Sequence, residues 1–206
     1  MKFPMLNIDG SKTNSIEVSD KLLKTKINYK LIKSVIDWQL NHAKPRTAKT
    51  KQRNQITGST KKIIAQKGSG GARHASKKAP IFVGGGIAHG PKGAVYKIKK
   101  MNKKVRKLAI AHSLSKKNLE KKLYFLADVK NEIKKTKEFN KFLLKNNLSN
   151  VLIISDDESL KNINRSARNI KNLKLIKDNG TNIYDLFRYK NIIITSSSLK
   201  KYKREY

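Results

Sequence analysis

The stretch "VLIISDDESLKNINRSARNIKNLKLI", residues 151–176, decides the fold. It opens with a continuous apolar run, Val151 to Ser155, whose lack of alternation predicts a strand covered on both faces. A helix is expected from about Ser159 to Ile170, preceded by Ser155 and Glu158 at capping-box spacing. A second apolar run, Leu173 to Ile176, predicts the returning strand. Working outward, "LYFLADV" (Leu123 to Val129) reads as another strand and "TKEFNKFLLKNNL" as a helix. On the other side, "NIYDLFRY" reads as a short helix and Ile192 to Thr195 as a strand. Short apolar runs alternating with amphipathic helices predict an α/β domain: a sheet of about four mainly parallel strands with flanking helices.

Nearer the amino terminus, Lys2 to Ile8 fits a short strand. Asn28 is placed to cap a helix in which Leu31, Ile32, Val35, Ile36 and Trp38 or Gln39 follow the helical period, fading near Asn41 to Pro45. Asn102 is placed to cap a second helix, with Val105, Leu108, Ala109 and His112 on one side and Lys103, Lys104, Arg106 and Lys107 on the others. Between these helices, residues 43–96 show no secure element, far beyond the roughly 15 residues a compact domain tolerates as a structureless loop. The expected organisation is a globular domain built from 1–42 and 97–206, with a long extended Gly/Lys-rich loop, 43–96, inserted between two helices. Each limb of that loop could reach at most about 80 Å at roughly 3.3 Å per residue.

Charge says what such a loop meets. The chain has 206 residues and a formal charge of +34, from 48 basic and 14 acidic side chains. No acidic residue occurs between Asp37 and Glu120, yet that window holds 21 of the basic residues and all four histidines. A solvated helix face normally interleaves acids for i, i+4 pairing, so an acid-free stretch of this length points to a surface for phosphates. Lysines outnumber arginines 40 to 8, so charge is supplied before bidentate geometry. With no cysteine, disulfide scaffolds, thiolate nucleophiles and cysteine-ligated zinc are excluded. There is no apolar run of about 18 residues and no signal-peptide pattern near Met1, so a soluble, unexported chain is expected.

The segment from Gln66 to Gly93 holds eight of the eleven glycines. "GSGG" at 68–71 and "GGG" at 84–86 predict either tight turns or points of close packing. Between them Arg73, Lys77 and Lys78 suit phosphates, His74 and Phe82 suit stacking on bases, and Pro80 stiffens the return limb. A flexible linker is the plain alternative, but linkers seldom carry Ile81, Phe82, Val83, Ile87 and Val95 at this density.

This segment, read as "TGSTKKIIAQKGSGGARHASKKAPIFVGGGIAHGPK", resembles the extended loop of the universal ribosomal large-subunit protein L-four family in its bacterial form. The likeness continues through "YKIKKMNKKVRKLAIAHSLS", "SARNIKNLKLI", "NIYDLFRYKNIIIT" and "SLKKYK", and is weakest over the first twenty or so residues. Departures exist: Ile63 and Ile64 stand where the family commonly has proline and tryptophan, Gly71 where arginine is frequent, and Gly93 and Ala94 where a proline–arginine pair is usual. The resemblance implies a structural protein of the large subunit whose loop threads into ribosomal RNA. The tip, near 65–73, would help line the nascent-peptide exit tunnel through Gln66, Lys67, Gly68, Ser69, Gly70 and Gly71. Phosphate contacts are then expected from Arg46, Lys49, Lys51 and Arg53 on the outgoing limb. Lys61, Lys62, Lys67, Arg73, His74, Lys77 and Lys78 would contact RNA around the tip, and Lys92, Lys103, Lys104, Arg106 and Lys107 near the base. Implied partners are large-subunit rRNA, neighbouring large-subunit proteins including the other tunnel-lining protein, and the nascent peptide in passing. No cofactor, metal, membrane or homo-oligomer is expected, and the bacterial cytoplasm is favoured over an organelle.

Catalytic patterns are thin. Ser59…Lys62, Ser113…Lys116 and Ser198…Lys201 fit a Ser-x-x-Lys spacing that chance supplies in so lysine-rich a chain. Gly68 to Gly71 lacks the Gly-Lys-Ser/Thr ending of a nucleotide loop. Asp156, Asp157 and Glu158 follow a strand end, where open α/β sheets place sites, though helix capping explains them as well. The alternative that stays open is an RNA-directed enzyme, such as a modifying transferase, carrying a basic arm.

Overall fold

The computed structural model describes residues 1–8, 12–44, 46–93, 100–129 and 131–205, with 12–14, 21 and 203–205 in backbone only. Pro45, Val95 and Tyr96, at the expected ends of the loop and of the preceding helix, lie outside the described residues. The chain forms two compact units, one of Met1–Leu40 with Lys100–Tyr206 and one of Asn41–Lys99.

In the first unit the chain runs β1 (Lys2–Leu6), β2 (Lys12–Glu17), α1 (Asp20–Leu23), α2 (Tyr29–Ala43), α3 (Lys103–Leu119), β3 (Leu123–Leu126) and α4 (Thr136–Lys145). It continues through β4 (Val151–Ser155), α5 (Asp157–Ala167), β5 (Leu173–Lys177), a 3-10 turn at Asp178–Gly180, α6 (Ile183–Arg188), β6 (Asn191–Thr195) and α7 (Ser196–Glu205). Among the described residues the sheet has six strands in the order β2-β1-β3-β6-β4-β5. Only β1 and β2 pair antiparallel; β1, β3, β6, β4 and β5 run parallel.

The apolar runs explain the interior. Every residue of β4 and β6 is buried, as expected for central parallel strands roofed on both sides. Successive side chains point to opposite faces. Leu152, Ile154, Ile192, Ile194 and Phe125 join Leu114 of α3, Leu186 of α6 and Leu199 and Tyr202 of α7 in one cluster. Val151, Ile153, Ile193 and Leu126 join Phe139 and Phe142 of α4 and Ile163 of α5 in the other. A third cluster, Ile32 and Val35 with Ala109 and Ile183, packs α2 on α3 and α6. Each fully buried Leu or Ile contributes about 1.5–3 kcal/mol, so the two sheet faces account for most of the cohesion of this unit. Lys117 of α3 is buried too; its ammonium donates to the carbonyls of Tyr189 (2.7 Å) and Lys190 (3.2 Å), and burial lowers its pKa.

Three features differ from the sequence reading. The sheet has six strands rather than about four, because β1 joins it and β2 extends it. The helix after β4 begins at Asp157, not Ser159, and the capping box is not formed. Ser155 is fully buried as the last residue of β4, opposite Lys177, which leaves Asp156 at the cap position without a side-chain cap bond. Asn102 occupies the cap position of α3, but its side chain accepts no cap hydrogen bond, whereas Asn28 does accept one from Leu31 N–H at 3.2 Å.

Candidate nucleic-acid interface

The middle of the acid-free stretch, Asn41–Lys99, forms the second unit, and its own backbone orders part of it, where the sequence offered no element. Lys49 and Lys92 form an isolated antiparallel bridge. Beside it Thr50 N–H donates to Pro91 O (2.9 Å) and Ile87 N–H to Lys51 O (3.0 Å). A 3-10 turn at Arg53–Gln55 follows, with Gln52 N–H bonded to the Gln55 side chain at 3.2 Å. Farther along, Gly86 N–H donates to Lys78 O (3.0 Å) and Ile63 N–H to Ala75 O (3.1 Å).

Glycine serves two purposes here. A Cβ on Gly86 would lie 2.3 Å from Arg53 N, and one on Gly90 would lie 2.0 Å from the Thr50 hydroxyl, so at these positions the limbs pass each other only because no side chain intervenes. Gly68 (φ +85°) and Gly70 (φ +65°) instead take left-handed backbone with nothing within 4 Å of a would-be Cβ. The "GGG" run contains both kinds: Gly84 turns at φ +82°, and Gly85 and Gly86 pack.

On this frame Arg46, Lys49, Lys51, Arg53, Lys61, Lys62, Lys67, Arg73, Lys77 and Lys92 are exposed, and Lys78 is half-buried. Residues 41–99 contain no Asp or Glu that could pair with them. The Lys49–Lys92 bridge sets two like charges directly opposite, an arrangement that destabilises a ladder unless an anion lies between or beside them. His74 and Phe82 meet each other edge-on, with ring centroids 4.9 Å apart, and both remain partly exposed. Gln66, Lys67, Gly68, Ser69, Gly70 and Gly71 are all exposed, with the Lys62 ammonium donating to the Gln66 side chain. Among the described residues of this unit, the apolar side chains of Ile63, Ile81, Ile87 and Val83 are also uncovered, the last fully so at 101%.

In the first unit, Lys103, Lys104 and Lys107 are exposed in the opening turns of α3. That turn contains no acid, so its cations add to the positive end of the helix dipole instead of offsetting it. Arg106 behaves differently from its neighbours. Its guanidinium lies 5.2 Å from the Trp38 ring centroid and its Nε is buried, which joins α3 to α2. The sequence placed both residues on helices but gave no sign that they meet.

The catalytic patterns do not assemble. Ser113 donates to the Ala109 carbonyl (2.7 Å), while the Lys116 ammonium sits over the rings of Tyr29 (5.1 Å) and Phe187 (4.9 Å). Ser198 accepts from Thr195 at 3.0 Å, and Lys201 pairs with Asp178. At the sheet's carboxyl edge Asp128 accepts hydrogen bonds from Ser196 Oγ (2.6 Å), Ser197 N–H (2.9 Å) and Ser197 Oγ (2.6 Å), so this carboxylate caps α7. Burial opposes its ionisation, but the bonds from Ser196 and Ser197 outweigh burial and hold its pKa below the usual carboxylate range. Asp157 is engaged by the Lys177 ammonium at 2.6 Å. Among the described residues no group of three His, Asp or Glu side chains is arranged to hold a metal ion, and no helix is long and apolar enough to cross a membrane.

Comparison with known proteins finds relatives along the length of the chain. A family model described as Ribosomal protein L4/L1 family matches residues 16–205. The chain is 49% identical, over all of both chains, to the large ribosomal subunit protein uL4 of Pelagibacter ubique. It is 35% identical to the protein of the same name from Hyphomonas neptunium, covering 100% of this chain and 96% of that one. Identity to the Thermotoga petrophila uL4 is 35%, with 96% and 92% covered. By the extent and continuity of these matches, the chain belongs to the ribosomal protein L4/L1 family.

Proposed function

We propose that this chain is a structural, non-catalytic component of the large ribosomal subunit, acting in the cytoplasm by binding large-subunit rRNA and supporting its assembly. The observation that carries the reading is the second unit: an acid-free segment in which all the described cations but the half-buried Lys78 are exposed, two of them lysines facing each other across a bridge. A free chain gains nothing from such an arrangement, whereas converging phosphates turn each of these charges into a favourable contact.

In this reading segment 43–96 penetrates the rRNA with its tip near 65–73. The exposed cations from Arg46 to Lys92 neutralise backbone phosphates there, with Lys103, Lys104 and Lys107 contributing from α3. Arg106 is chiefly a packing residue. The open, turning glycines Gly68 and Gly70, with Gln66, Lys67, Ser69 and Gly71, form the part of the chain that faces the exit tunnel and a passing nascent peptide. Neighbouring large-subunit proteins, including the other tunnel-lining one, are the expected protein partners, and no homo-oligomer is needed. The test is sedimentation of large subunits at high ionic strength: one copy per subunit is expected to remain. Release of the chain into the soluble pool at moderate salt would overturn the reading.

A further inference from the structure

In the second unit a cleft of about 520 Å³ opens beside the Arg53–Gln55 turn, within the roughly 300–1,000 Å³ of small-ligand sites. Its lining residues carry selective chemistry: Gln52 and Asn54 bear amides, Thr60 a hydroxyl, and Arg53 and Lys78 cations. Ala75 and Ser76 complete the lining, and among the described residues no acid or aromatic ring takes part. The walls are held in place. Gly86 lies against the Arg53 backbone and bonds to Lys78 O, and the neighbouring Ser76, itself buried, accepts from Lys78 N–H at 3.3 Å.

Amides and a hydroxyl are the groups that read the edge of a heterocyclic base, and two cations at the same cleft suit the phosphate attached to it. Scattered lysines grip a sugar–phosphate strand but leave it free to slide, because every phosphate is alike. One captured base removes that freedom. Resting on the rRNA-binding reading above, we propose that this cleft seats a single unstacked nucleotide of large-subunit rRNA. The base edge meets Asn54 and Thr60, and the phosphate meets Arg53 and Lys78, which sets the register of the arm along the RNA.

The experiment uses assembled large subunits carrying wild-type chain, Asn54→Leu or Thr60→Trp, the last filling the cleft. Base-directed alkylation is mapped along the rRNA while occupancy is measured in the same particles. One nucleobase is expected to be shielded in wild-type subunits and to become about tenfold more reactive in both variants at unchanged occupancy, the effect of losing about 1.4 kcal/mol of base contacts. Unchanged base reactivity at normal occupancy overturns this proposal alone; absence of the wild-type chain from subunits overturns the rRNA reading with it. If neither variant assembles, a photoactivatable residue at position 60 decides. Cross-linking to one base supports the seat, and cross-linking spread over several backbones, or to protein alone, removes it.

Discussion

Replacing Lys49, Lys51 and Lys92 together with alanine should flatten the salt dependence of RNA binding, by an amount the structure allows to be worked out. All three side chains are exposed, and two of them oppose each other across the limb bridge. Residues 41–99 hold no carboxylate, so none of the three has an internal acid in that unit to neutralise it. Each phosphate neutralised contributes about 0.9 to the slope of log affinity against log salt on a duplex and about 0.7 on a single strand. Three lost contacts therefore reduce the slope by about 2 to 3. Between about 50 and about 200 mM salt, that makes the variant's loss of affinity about 20- to 40-fold smaller than the wild type's. The assay is titration of the full chain against large-subunit rRNA across a salt series. The comparator is Lys174, Lys177 and Lys201, which carry the same formal charge but are paired with Asp185 (2.7 Å), Asp157 (2.6 Å) and Asp178. Their triple alanine variant should keep the wild-type slope. Equal flattening by both triples would show that only net charge matters, and no flattening by the first would remove these lysines from the interface. Misfolding is separable, since deleting one or both of two opposed like charges should leave the thermal stability of the free chain unchanged or slightly raised.

Two further perturbations probe the frame that presents these charges. Gly86→Ala places a Cβ 2.3 Å from Arg53 N and 2.6 Å from Arg53 Cα, both backbone atoms, whereas Gly71→Ala meets nothing within 4 Å. At about 1–3 kcal/mol for overpacking, G86A should lose at least about fivefold in competition with wild type for incorporation into subunits, while G71A keeps pace; equal incorporation would refute the limb packing. Asp128→Asn removes a carboxylate whose folded pKa lies below its unfolded value, so the stability it provides is fully present above about pH 4 and is lost as pH falls through the folded pKa. Urea unfolding should show the wild-type advantage over D128N shrinking in acid, and an advantage independent of pH would rule out the ionised cap.

How far the sequence spoke depended on whether a segment's stability is local. Strands β4 and β6 were legible because burial on both faces demands unbroken apolar residues, and "VLIIS" and "IIIT" supply them. Strand β2 was not, because "KTNSIE" carries a single apolar residue and exists as a strand only through its pairing with β1, where Ile16 lies opposite Phe3. Helix α7 was hidden for a similar reason. It follows β6 without a loop, its apolar residues with described side chains are Leu199 and Tyr202, and the Asp128 carboxylate that holds its first turn lies far away in sequence. The charge of the interface was plain from composition, but the withdrawal of Arg106 onto Trp38 and the pairing of His74 with Phe82 are tertiary facts that no spacing encodes.

The second unit combines two features that work against a free chain: like charges face each other at Lys49 and Lys92, and Ile81, Val83 and Ile87 stand in water. Either alone would be unremarkable on a surface. Together they argue that the arm's conformation is completed from outside, because an anionic strand relieves the first and contact with base or protein surfaces covers the second. Covering one such aliphatic side chain is worth about 1.5–3 kcal/mol, comparable to a phosphate contact and, unlike it, insensitive to counterion release. On the proposed reading, the affinity that survives at high salt is expected to come from Ile81, Val83, Ile87 and the cleft beside Arg53, and the lysines are expected to govern how fast and how tightly the arm is drawn in at low salt.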